Sequence, residues 1–317
     1  MNSGLSGRRV LVTGGSGFIG RHVVADLRAA DANVRVVDLE PHPDPEVELV
    51  PGDIAETAVL DQAFEGGIEA VVHLAAVTSV LRSLEHPEMT YRTNVAATAA
   101  LLEAARGGGV KALAFASTNA VTGPMDQPAI TEAATLKPLT PYGSTKAAAE
   151  MLMSAYTASY GVRCACLRLT NVYGLGMQAK DSIVARLMRA IRTGATFEIY
   201  GDGRQVRDYV NASDVVAAFK LAITREDWQG PVVIGTGKSL SVLEVLDEVR
   251  RVTSAELSVR HGPAKPGEMP AVIVDPSRAR GAGWATRYSF AEGLAEVWQE
   301  WSQADVERPV PTAGGRP

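Results

Sequence analysis

Cysteine is nearly absent: the 317 residues hold two, Cys164 and Cys166. Too few remain for a disulfide framework, and no further Cys or nearby His completes a zinc set. At i, i+2 on a strand the two thiols share one face, so they read as small core filler. This usage suits a reducing cytoplasm. No uncharged stretch approaches the ~20 residues needed to cross a bilayer, and the first nine residues lack the apolar core of a secretory signal. No dense Lys/Arg run interrupts a net charge of −5, which argues against a nucleic-acid partner. Acidic small molecules stay open, because a few local arginines suffice to bind a diphosphate. With 46% hydrophobic and 21% charged residues, the chain has ordinary globular composition and enough length for a substantial core. The expectation is a cytoplasmic protein with no metal, membrane or nucleic-acid ligand.

Apolar β-type runs alternate with helical patterns through the first half. Strands are expected at 9–13, 33–38, 46–51, 70–74, 112–117 and 163–169, and helices at 18–30, 55–64, 91–106 and 141–160. Such alternation specifies an α/β fold with a doubly wound parallel sheet. The second half changes texture. Helices are expected at 181–193, 213–224, 241–253 and 289–302, and strands at 196–200 and 231–235. The expected division is a dinucleotide-binding domain over 7–172, with 207–235 returning to it. A smaller mixed α/β substrate lobe covers 173–206 and 236–302. The Pro/Gly-rich stretch 303–317 is expected to be a disordered tail.

The run from Thr13 to Gly20 follows the first strand and opens the first helix at Phe18 and Ile19. Its spacing, Gly14-x-x-Gly17-x-x-Gly20, permits a tight turn, close backbone approach to a pyrophosphate and close helix–sheet packing. This makes the domain Rossmann-type. Asp38 ends the second strand about 20 residues on, where a carboxylate accepts the ribose hydroxyls of NAD. With no basic residue at that turn, a 2′-phosphate would meet negative charge, so NAD is expected over NADP. The alternative for Asp38 is a solvated strand end. Asp53, with Ile54 beside it, is a further candidate at the adenine.

Tyr142 and Lys146 stand at i, i+4 on one helical face. A free phenol titrates near 10, so a base working near pH 7 must be lowered by about 3, or ~4 kcal/mol. A nearby ammonium and a positive nicotinamide both favour the phenolate. Taken alone the spacing describes any surface pair; downstream of a dinucleotide loop it becomes specific. Thr118, in Ser117-Thr118-Asn119, ends a strand whose carboxyl end faces the cofactor crevice. Its hydroxyl could hold the substrate oxygen that Tyr142 deprotonates, or merely form a Ser/Thr turn.

Together these residues resemble the extended short-chain dehydrogenase/reductases, the NAD-dependent epimerase/dehydratase family, from about Arg9 to Trp301. The resemblance extends to His73-Leu74-Ala75-Ala76, Asn94-Val95, the run from Leu167 to Gly174, the run from Tyr200 to Val210, Lys265-Pro266-Gly267-Glu268 and Gly283-Trp284. It implies that Leu74, Ala75 and Ala76 line the nicotinamide side of the cofactor groove, with Asn94 also on the cofactor side. It puts Thr118 at the catalytic Ser/Thr position. It gives Asn171 to the nucleotide-sugar backbone, Arg207 and Lys265 to the diphosphate, and Ile199 and Tyr200 to the wall of the base. An ion pair with Asp208 or Asp214 is the structural alternative for Arg207.

Three departures from the family pattern matter. Asn119-Ala120 stands where the dehydratase branch has Asp-Glu and the decarboxylase branch keeps the Glu; Ala120 cannot move protons, so dehydration and decarboxylation are disfavoured. Thr122 replaces a usual Tyr, and Lys265 offers a point charge where many relatives have an Arg fork. The segment 175–182 is short for the family. The expected activity is therefore epimerisation of a UDP- or dTDP-linked sugar at C4, through transient oxidation to a 4-keto sugar and hydride return to the opposite face. A 4-ketosugar reductase or dehydrogenase with net NAD(H) turnover shares every motif, and a non-catalytic NAD sensor uses the same fold. A homodimer is expected through the helices 91–106 and 141–160, the latter carrying Ala147, Ala148, Met151, Leu152 and Ala155.

Overall fold

The computed structural model describes residues 4–124, 127–264 and 271–303. The 265–268 motif with Lys265, and the expected tail beyond Gln303, lie outside the described residues. The first half runs β1 (Arg9–Thr13), α1 (Phe18–Ala29), β2 (Asn33–Asp38), β3 (Glu48–Pro51), α2 (Thr57–Phe64) and β4 (Ala70–His73). Then come α3 (Val80–Glu85), α4 (Pro87–Tyr91), α5 (Ala97–Gly107), β5 (Ala112–Thr118), α6 (Pro141–Tyr160) and β6 (Arg163–Leu169). The second half runs β7 (Asn171–Tyr173), α7 (Ile183–Thr193), β8 (Phe197–Tyr200), β9 (Val206–Asn211), α8 (Ala212–Thr224) and β10 (Gly230–Ile234). It ends with β11 (Ser239–Ser241), α9 (Val242–Thr253), β12 (Val259–Gly262), α10 (Ser277–Gly281) and α11 (Phe290–Gln303).

Seven strands pair in parallel in the order β3-β2-β1-β4-β5-β6-β10. Side chains alternate across a strand. Val10 and Val12 therefore pack with Val23 and Leu27 of α1 and Phe219 of α8 on one face. Leu11 packs with Leu60 of α2, Leu101 of α5 and Met153 of α6 on the other. Cys164 and Cys166 are buried free thiols in that second cluster. Strand order reverses between β1 and β4, which opens a crevice at their carboxyl ends.

The smaller lobe gathers Leu187 of α7, Ile199 of β8, Val245 of α9 and Leu294 of α11 into a third cluster. Its strands form a three-stranded sheet, β11-β9-β7, and a parallel pair, β12-β8. α9 starts on a reciprocal capping box between Ser241 and Glu244, which satisfies two otherwise orphaned N–H groups. Among the described residues no helix is long and apolar enough to cross a membrane.

The expected continuous helix at 91–106 is interrupted. α4 ends at Tyr91, a five-residue π turn spans Arg92–Ala96, and α5 follows. The wider turn accompanies the inward turn of Asn94, whose amide donates to Val77 O and whose Oδ1 accepts from Val77 N. Period-based reading assumes uniform pitch and cannot show such an insertion. α3 was also unforeseen: six residues, capped by Ser79, are too few to display periodicity.

Candidate active site

β1 delivers the glycine loop to the crevice. Gly14 adopts φ 73°, and a Cβ there would lie 2.7 Å from Ala75 N. A Cβ on Gly20 would lie 2.1 Å from Gly14 O. The loop, the start of α1 and the exit of β4 are thus in backbone contact. Gly17 is the N-cap of α1 and no side chain caps that turn, so the helix start presents N–H groups and a positive dipole to an anion. Phe18 and Ile19 form this first turn. Asp38 turns back to the loop: Oδ2 accepts from Ser16 N at 2.9 Å and Oδ1 from Glu40 N at 3.1 Å. Asp53 accepts from Ala55 N through Oδ1. The side chain of Ile54 lies in the core, so this residue has only its backbone to offer at the crevice.

Beyond β4, the N–H groups of Leu74 and Ala75 both donate to Thr13 O, at 3.0 and 3.1 Å; Leu74, Ala75 and Ala76 are half-buried. Asn94 stands behind them. Its amide also donates to Thr145 Oγ1 at 3.1 Å, so this side chain braces the loop after β4 against α6. His73 extends the brace. Thr98 Oγ1 donates to Asn94 O and so accepts from His73 Nε2 at 2.9 Å; His73 Nδ1 accepts from Thr13 Oγ1 at 2.7 Å. These bonds assign the tautomer.

Burial, seconded by the charge of Lys146, pushes His73 down from 6.5 to about 3. Between those values the unfolded chain carries a proton that the folded chain refuses. Stability should therefore fall as pH drops below 6.5, by about 1.4 kcal/mol per pH unit from this residue. His73→Gln keeps a donor and an acceptor but does not titrate. Its urea-unfolding free energy should fall less steeply between pH 6.5 and 5, by about 2 kcal/mol over the window. Equal slopes in the two proteins would contradict a neutral buried His73.

α6 begins on Thr140, whose Oγ1 accepts from Gly143 N, with Pro141 at the first helical position. Both preferences are those of a helix start. Tyr142 N donates to Ser83 Oγ of α3 at 3.2 Å. Thr118 stands near the Tyr142 hydroxyl and acts on its titration. Burial pushes the phenol up to about 12, and Thr118 pulls the other way. Lys146 is buried one turn on; its Nζ donates to Ala116 O at 2.9 Å and lies 4.5 Å from the centre of the Phe115 ring. Burial pushes it down to about 7, against the pull of Glu150. One of the three Nζ donors thus holds a strand carbonyl, and Thr118 acts on the phenol in the direction of the phenolate.

The other candidates meet in the smaller lobe. Asn171, Ile199, Tyr200 and Arg207 line one cavity of about 220 Å³, together with Ser182, Arg186 and Gln205. Alternation along β9 sends Arg207 and Asp208 to opposite faces. The Asp208 carboxylate accepts from Thr170 and Thr236, and that of Asp214 pairs with Arg287. Both acids proposed as ion-pair partners for Arg207 are thus engaged elsewhere. Ser182 and Arg186 carry no motif, so only the folded chain reveals them. Among the described residues no group of acids, His and Cys could hold a metal.

A match to the NAD dependent epimerase/dehydratase family spans residues 10–235. The UDP-glucose 4-epimerase of Lacticaseibacillus casei is 32% identical, over 94% of this chain and 98% of that one. The crystal structure of Thermus thermophilus UDP-glucose 4-epimerase in complex with NAD superposes with TM-score 0.88 at 32% identity, covering 94% of this chain and 100% of the other. That of Thermotoga maritima UDP-glucose 4-epimerase with UDP-glucose gives 0.87 at 31%, covering 93% and 98%. The glycine loop, the Tyr142–Lys146 helix and this likeness along nearly the whole chain lead to one conclusion: the protein belongs to the NAD dependent epimerase/dehydratase family.

Proposed function

We propose that the protein epimerises a UDP-linked hexose at C4, using NAD. The observation that carries this reading is the convergence of Thr118, Tyr142 and Lys146 at the carboxyl end of the sheet, in a chain whose second lobe holds an arginine-lined cavity. The glycine loop with Phe18 and Ile19 would hold the pyrophosphate of NAD, Asp38 its adenosine ribose, and Lys146 its nicotinamide ribose. The backbone contacts at Gly14 and Gly20, which any Cβ would break, fit such a cradle. Bound NAD supplies the hydride acceptor and donor. Tyr142 takes the proton of the 4-hydroxyl as that carbon becomes a ketone, and returns it when the alcohol is restored. Thr118 holds the same oxygen. Arg207 and Asn171 hold the nucleotide diphosphate, so the hexose can turn while its handle stays fixed. Ala120 offers no acid or base for elimination. The names of the relatives support the same substrate class.

Purified protein given UDP-glucose or UDP-galactose, with no added cofactor, should yield the other epimer and no lasting NADH. Stoichiometric NADH would assign a dehydrogenase instead.

The reading includes a homodimer. α3, α4 and α6 expose Leu81, Leu84, Tyr91, Met151 and Tyr160, an apolar set on neighbouring helices that a second copy would cover. Ala147, expected on this face, is buried within the protomer. Sedimentation should give twice the chain mass at micromolar concentration, and Met151→Glu should shift it toward monomer. A wild type that stays monomeric would reject the dimer.

A further inference from the structure

Arg186 has no assigned task, and its surroundings are unusual. It lines the same cavity as Arg207. Its guanidinium lies 5.3 Å from the centre of the Phe197 ring and 5.4 Å from that of Tyr200. Such ring contacts hold a cation in position while leaving its N–H edges open. Among the described residues its ion-pair partner is Asp181, 4.0 Å from Nε and with a side chain 87% exposed; a pair so wet contributes little. Among the described residues the Arg186 side chain makes no hydrogen bond beyond that contact. One turn earlier, at i−4 and on the same helical face, Ser182 also lines the cavity. Ser182 is the N-cap of α7, yet its hydroxyl makes no cap bond, is buried and has no partner among the described residues. A buried hydroxyl left unpaired costs free energy that a bound acceptor recovers. Both residues line one space, and the side-chain donors of both lack a hydrogen-bond acceptor among the described residues.

We propose that Ser182 and Arg186 form a second phosphoryl-binding arm in the cavity that holds Arg207, so that the site requires a nucleoside diphosphate and discriminates against a monophosphate. This rests on the function proposed above and adds to it a basis for reading the charge of the handle. Donors on both arms fit an acceptor-only, doubly phosphorylated ligand, whereas a single phosphoryl group leaves one arm unused.

The test is equilibrium binding of UDP, UMP and uridine to the NAD-loaded full chain, as wild type, Arg186→Met and Ser182→Ala. Wild type should favour UDP over UMP by about tenfold or more. Arg186→Met should weaken UDP by about tenfold or more, shrink the UDP-to-UMP preference, and leave uridine and NAD content unchanged. Ser182→Ala should act in the same direction by a few-fold. Equal weakening of UDP and uridine would overturn the proposal and assign Arg186 to the base. Unchanged UDP binding in both variants would overturn it and leave Arg186 a packing residue. The UDP reading is judged separately: if wild type ignores UDP but binds another nucleoside diphosphate, that reading fails and the Arg186 comparison is made on that nucleotide. Binding of no nucleoside diphosphate would remove both.

Discussion

Tyr142→Phe is expected to lower UDP-sugar turnover by about 100-fold or more while leaving NAD bound. The ring still fills its place in α6, and only the hydroxyl that moves the proton is gone. The unligated phenol sits at about 12, far above working pH, so turnover requires the loaded site to favour the phenolate. Thr118 acts in that direction already in the unligated site. Thr118→Val should therefore move the rise of turnover with pH to higher pH. Wild-type turnover in Tyr142→Phe would remove this residue from the chemistry, whatever the fate of Thr118→Val.

The second large effect is steric. Gly20→Ala puts a Cβ 2.1 Å from Gly14 O, with the nearest atoms of Gly15 at 2.7 and 2.8 Å. All three are backbone atoms, so no rotamer change relieves the clash; either α1 withdraws from the loop or the loop opens. Overpacking of this kind costs about 1–3 kcal/mol, occasionally more. Here the strain also displaces the N–H groups at the start of α1, to which the proposal gives the pyrophosphate. Purified Gly20→Ala should carry about tenfold less NAD than wild type and lose activity in proportion, with partial recovery at high added NAD. Gly107→Ala is the control, because a Cβ there meets nothing within 4 Å. Full NAD content in Gly20→Ala would show that the loop does not bind as described.

These two residues mark what a sequence can disclose. Gly20 and Tyr142 are legible because local geometry decides them: glycine spacing after a strand dictates backbone approach, and i, i+4 spacing dictates a shared helical face. The same holds for the parallel sheet, whose apolar strand runs reveal burial on both faces. Asp38 is legible as the end of β2. Other features arise only when distant segments meet. The Lys146 ammonium is engaged by Ala116 O, thirty residues away in sequence. The loop after β4 depends on a chain of bonds through Thr13, His73, Thr98 and Asn94, four residues drawn from separate elements. Arg186 joins the cavity lined by Arg207 because β8 presents Phe197 and Tyr200 to α7. Neither composition nor periodicity encodes such a meeting, and the π turn at Arg92–Ala96 breaks the very period on which helix reading rests.

The central claim is that one carbon is oxidised and reduced within a single site. UDP-glucose carrying deuterium at C4, incubated with the purified protein and no added cofactor, tests it most directly. The account predicts a mixture of UDP-glucose and UDP-galactose, both retaining the deuterium at C4, with no NADH left at equilibrium. Deuterium lost to water, or accumulating in NADH beside an oxidised sugar, would contradict it.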